Sequence, residues 1–93
     1  MSALRPDTTV RISPSVYARA FGEEMVLLHF ARGEYYGLDA IGARVWELLG
    51  AGKSLEEAAR AIARDYQVTF DDALRDIETL VTELGEESLV EWT

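Results

Sequence analysis

The residues of this chain most able to do chemistry form a short group. The segment Gly50-Ala51-Gly52-Lys53-Ser54 has the residue types of a phosphate-binding loop, in which backbone amides and a lysine cradle phosphate at a helix start. Its spacing does not fit. That loop needs a glycine five positions before Gly52, where the chain has Glu47, and a preceding strand, where the chain has a helical pattern. Gly52 and Lys53 therefore read as turn residues and Ser54 as a helix cap.

The single histidine, His29, lies in an apolar run and reads as a cross-strand or solvent-facing structural residue. Without cysteine or a second histidine it cannot complete a typical zinc site, so no metal or other cofactor is expected. The absence of cysteine also removes disulfides and a cysteine nucleophile, and fits a reducing, cytoplasmic setting. Carboxylates remain, but Glu23-Glu24, Glu56-Glu57, Asp71-Asp72 and Glu86-Glu87 are neighbours at turns and helix starts, where they solvate loops or complement helix dipoles. No Ser-His-Asp order, glycine-rich elbow or metal-ligand spacing is present, so no catalytic residue is assigned and a non-enzyme is expected. An acyl carrier domain would need a serine in Asp-Ser-Leu at a helix head; this chain has Asp39-Ala40-Ile41.

The chemistry left is recognition, and it depends on how the elements present Tyr35 and Tyr36. From Thr9 to Leu38 the pattern is strand-like: Thr9 to Ser13, Val16 to Phe21, Met25 to Ala31 and Glu34 to Leu38, separated by turn residues. The last two runs, joined through Arg32-Gly33, form an antiparallel hairpin. Val16 to Phe21 reads either as a strand or as a helical turn. After Leu38 the period changes. Ile41, Val45, Trp46, Leu48 and Leu49 share a helical stripe, with Asp39 at the N-cap and Gly50 and Gly52 at the end. Ser54-Leu55-Glu56-Glu57 has capping-box form and opens a second amphipathic helix to Tyr66. Thr69 and Asp72 open a third helix, with Ala73, Leu74, Ile77, Leu80, Val81 and Leu84 on its apolar face and Gly85 as its stop. Ser88 to Trp92 returns as a short strand or lies along the surface. The fold class is α+β: a winged-helix-like single domain over residues 1–93, a three-stranded antiparallel sheet followed by three helices, with 1–8 as a flexible lead-in.

The strand-to-helix corner Gly33-Glu34-Tyr35-Tyr36-Gly37-Leu38-Asp39 and the strand-first order resemble the PqqD-like family of RiPP recognition elements, from about Arg11 to Val90. The family often has Leu-Asn where this chain has Leu38-Asp39, and aspartate caps a helix about as well. The resemblance implies a protein that binds the leader of a ribosomally made precursor peptide. The leader would lie antiparallel along the third strand, in the cleft between it and the third helix. Carried onto this chain, the strand side of the cleft is Arg32, Glu34, Tyr35, Tyr36 and Gly37, and the helix side is Ala73, Asp76, Ile77, Leu80 and Val81. In particular the chain resembles the free-standing recognition proteins of lasso-peptide pathways, which implies a separate cysteine-protease-like leader peptidase as partner and supplier of the chemistry.

Energetics and strand geometry limit what such a cleft can do. Each backbone hydrogen bond nets roughly 0.5–1.5 kcal/mol, while ordering one peptide residue costs about 1–2 kcal/mol, so strand addition alone breaks even. Buried side-chain anchors, each worth about 1.5–3 kcal/mol, must supply the affinity. Alternation puts Tyr36 and Leu38 on one face and Tyr35 on the other, so one tyrosine belongs to the core and one or neither touches ligand. The 17 acidic and 9 basic side chains give a formal charge of -8, and the basic ones are scattered, which disfavours nucleic acid. No apolar run is long enough to span a membrane. The alternatives are a winged-helix DNA-binding or transcription-associated domain, motivated by the three helices, and a non-catalytic adaptor subunit.

Overall fold

A computed structural model describes residues 3–93. The chain runs β1 (Arg11–Ile12), β2 (Val16–Phe21), β3 (Glu24–His29), β4 (Glu34–Leu38), α1 (Ala40–Gly50), α2 (Leu55–Tyr66), α3 (Phe70–Glu86) and β5 (Val90–Glu91). Strands β2, β3 and β4 form an antiparallel sheet in that order, and the three helices follow it, as the sequence pattern predicts. The segment Val16–Phe21 is a strand. It pairs with β3 over its full length, from Val16 opposite His29 to Phe21 opposite Glu24, which satisfies backbone groups that a lone helical turn would leave open. Gly22 and Gly33 take left-handed φ values of 64° and 67° in the two hairpin turns, a conformation available to glycine at little cost.

The pleat sorts the sheet into two faces. Leu27, His29 and Leu38 are buried on the inner face, while Tyr17, Phe21 and Tyr35 point outward and stay largely exposed. His29 is thus a buried cross-strand residue, set between Val16 and Glu34. The core lies between the inner face and the helices, built from Leu27, Leu38, Val45, Trp46, Leu49, Leu55, Ile62, Ile77, Val81 and Leu84.

Each helix starts where a side chain can satisfy its first amides. Asp39 Oδ1 accepts from the Gly42 amide at 2.8 Å, and Thr69 Oγ1 accepts from the Asp72 amide at 3.1 Å. Ser54 and Glu57 complete a reciprocal capping box: the Glu57 amide donates to Ser54 Oγ at 3.2 Å and the Ser54 amide to Glu57 Oε1 at 2.9 Å. Those bonds hold the Glu57 carboxyl below its ordinary pKa.

Three features depart from the sequence expectation or resolve what it left open. Gly85 does not stop α3; the helix continues to Glu86, Gly85 is buried in its last turn, and the left-handed residue is Ser88, at φ 59°. The buried Leu89 and Val90 that follow pull the chain back into the core, and this tertiary demand sets the exit. Ser88 to Trp92 does return as a strand: β5 pairs with β1, Val90 opposite Ile12 and Glu91 opposite Arg11, with an Arg11–Glu91 ion pair on the solvent side. Of the lead-in expected to be flexible, residues 1 and 2 lie outside the described residues. Beyond them the chain is held: the Leu55 amide donates to the Thr8 carbonyl at 3.0 Å, the Glu56 amide to the Pro6 carbonyl at 2.8 Å, and Thr8 is buried. Residues 6 and 8 thereby supply carbonyls to amides that the first turn of α2 cannot satisfy itself.

Candidate functional site

Among the described residues strand β4 pairs only with β3, so its other edge carries a row of backbone groups without ladder partners there. Beside that edge lies a cleft of about 510 Å³. Its strand wall is Tyr36, Gly37 and Leu38; its far wall is Ala73, Asp76, Ile77 and Leu80 of α3. The floor comes from elsewhere: Ile41, Gly42 and Val45 of α1, Ile62 of α2, and Val68 in the turn between α2 and α3. Gly42 lets α1 start against the corner, since a Cβ there would lie 3.2 Å from Leu38 Cδ2 and 3.2 Å from Asp39 Oδ1. The lining is mostly hydrocarbon. Its acidic members are Asp39, whose carboxylate is engaged as a cap, and the exposed Asp76 at the rim.

One polar bond ties the two walls together. The Tyr36 hydroxyl donates to Glu83 Oε2 of α3 at 2.7 Å. Partial burial, that hydrogen bond, and the negative charges of Glu83 and Glu87 push the Tyr36 phenol up to about 12, so it is neutral across the physiological range.

The structure brings Tyr36, Gly37, Ala73, Asp76, Ile77 and Leu80 of the expected set together around one cleft. It separates the others. Val81 is fully buried, because Ile77, Val81 and Leu84 form the stripe of α3 that faces the core. Tyr35 is 74% exposed on the outer face of the sheet, since neighbouring residues in a strand point opposite ways. Arg32 and Glu34 pair with each other at 2.8 Å beside the hairpin turn, and neither lines the cleft. Sequence reasoning missed Leu38, Asp39, Ile41, Gly42, Val45, Ile62 and Val68 as cleft residues. Ile41 and Val68 had a readable signal: Val68 is an apolar residue in a polar turn, Ile41 sits in the first turn of α1, and both are 42% exposed.

Among the described residues no His, Asp and Glu cluster could hold a metal ion, and no helix is long and apolar enough to cross a membrane.

The sequence pattern of the family described as coenzyme PQQ synthesis protein D (PqqD) matches residues 24–90, from β3 to the start of β5. The chain belongs to the PqqD family. The resemblance carried by the strand-to-helix corner is thereby borne out for this PqqD-family chain. Two solved structures share its fold at substantial identity. One, described as TbiB1 in complex with the TbiA(beta) leader peptide, is 40% identical with a TM-score of 0.83, covering 87% of this chain and 94% of its own. The other, described as lasso peptide synthetase B1 complexed with the leader peptide, is 33% identical with a TM-score of 0.82, covering 88% and 96%. No curated protein matches the chain.

Proposed function

We propose that this protein binds the leader segment of a ribosomally synthesised precursor peptide, adding it as a strand to the free edge of β4 with alternate side chains in the β4–α3 cleft. The observation that carries the reading is the coincidence of that unpaired edge with an open, apolar cleft of about 510 Å³. The edge supplies direction and register, the cleft supplies affinity. Two relatives of the same fold, 40% and 33% identical, were solved with leader peptides bound, which supports the same ligand class here. The protein's own role is non-catalytic and cytoplasmic, within lasso-peptide biosynthesis: it holds the leader while a separate leader peptidase or other maturation enzyme acts.

The outer face of the sheet suits that second partner. Tyr17 and Tyr35 are 59% and 74% exposed there, on either side of Leu28 across the strands, an uncovered aromatic patch of the kind that marks protein contacts. It lies on the opposite side of the sheet from the cleft-facing Tyr36, so leader and enzyme can be held at once.

Calorimetric titration with the leader half of the cognate precursor tests the proposal. Saturable binding is expected, weakened at least about tenfold by Leu80→Asp, which removes one half-buried anchor contact and places a charge in the cleft. No binding at high micromolar concentration would refute it. Tyr17→Ser with Tyr35→Ser is expected to keep leader affinity and lose co-purification with the peptidase; retained co-purification would move that contact to another surface.

A further inference from the structure

Gly37 is hard to explain by the fold alone. It sits inside β4, where glycine is the least favourable residue on entropic grounds and adds no side chain to packing. Its φ is not in the left-handed region, so the backbone does not require glycine. A Cβ built there would meet nothing within 4 Å, so crowding does not require it either.

What the missing side chain creates is a hollow. By the pleat, the position of Gly37 points outward with Tyr35, opposite Val26 of β3. There a depression of about 350 Å³ opens at the corner end of the sheet, where the outward-facing Phe21, Glu24 and Val26 stand beside Gly37 and the chain at Met25, Leu38 and Asp39 closes it. It adjoins the free edge. Gly37, Leu38 and Asp39 also border the inner cleft, so the two hollows meet across the end of β4, with the Gly37 position directed to the outer one.

Resting on the leader-binding reading, we propose that the Gly37 hollow is a second subsite, which takes a large apolar side chain of the bound strand one residue out of phase with those entering the inner cleft. A strand added to β4 lies about 4.8 Å from it, and its outward side chains stand beside Gly37. A long aliphatic or aromatic side chain at that point can lie across the glycine and reach Val26, one strand further in, covering backbone that a Cβ would otherwise shield. The lining favours an apolar occupant: Phe21, Met25, Val26 and Leu38 make it mostly hydrocarbon, and of its two carboxylates Asp39 already accepts from the Gly42 amide. Two subsites of opposite parity make the site read spacing. A strand whose apolar residues all fall on one face fills the cleft but leaves the hollow empty.

The test is titration of wild type and Gly37→Val with the cognate leader and with leader variants carrying alanine at each position in turn. Gly37→Val is expected to melt no lower than wild type, since valine favours strands and has room. It should bind the intact leader about tenfold more weakly. For one leader variant, out of phase with the cleft anchors, that loss should vanish, because the hollow has nothing left to hold. Equal affinity of Gly37→Val and wild type for the intact leader would overturn the second subsite while leaving the leader-binding reading intact. So would an equal loss with every leader variant, or a lower melting temperature showing that the fold itself needs glycine. Failure of wild type to bind any leader would overturn both.

Discussion

Tyr36 is fixed by two constraints of different kinds. Its ring stands on the inner face of the sheet opposite Leu27, and its hydroxyl reaches across to Glu83 of α3. Tyr36→Phe keeps the first and removes the second. It should lower stability by about 1 kcal/mol, the net worth of one such hydrogen bond, measurable by urea unfolding. Because the folded pKa of about 12 exceeds the unfolded value of 10.0, the protein favours the neutral phenol. That contribution is complete below about pH 10 and is lost as pH rises toward 12. A late tyrosinate component in an ultraviolet titration is therefore expected, and Tyr36→Phe should abolish it. Glu83→Gln, which keeps an acceptor but removes the charge, should shift it to lower pH. If the late component survives Tyr36→Phe, the assignment is wrong. The sequence made the opposite parity of Tyr35 and Tyr36 legible, because a two-residue period needs no tertiary information. Which face meets the helices was not legible, since only packing decides it.

At the scale of elements, what was readable is what depends on near neighbours. Asp39, Ser54 and Thr69 each cap the helix predicted for them, because a cap bonds amides two or three residues ahead. Ser54→Ala is expected to cost about 1 kcal/mol, removing the bond to the Glu57 amide from a buried site. Chemical unfolding checks this, and an unchanged midpoint would mean that the carbonyls of Pro6 and Thr8 suffice to hold the start of α2. The pairing of β1 with β5 was not legible. Two residues at each end of the chain carry no periodicity, and only the burial of Val90 against the core brings them together. Gly85 misled for the same reason: glycine permits a helix stop but does not impose one.

For the molecule as a whole, the site is a junction of β4, α1, α2, the turn holding Val68, and α3. Its two walls could be placed from sequence through a family resemblance. Its floor could not, because Val45 and Ile62 look like ordinary core residues until the cleft beside them is seen. The central claim is that a peptide completes this junction as a strand, with backbone on β4 and side chains in the cleft. Backbone pairing in an antiparallel ladder engages the amides of alternate residues only. The most direct measurement is therefore affinity across a series of cognate leader peptides, each N-methylated at a single residue through the segment that binds. Strand addition at β4 predicts alternation: large losses at every second residue and small ones between. Losses without that two-residue period, or affinity untouched by methylation anywhere, would contradict strand addition at β4.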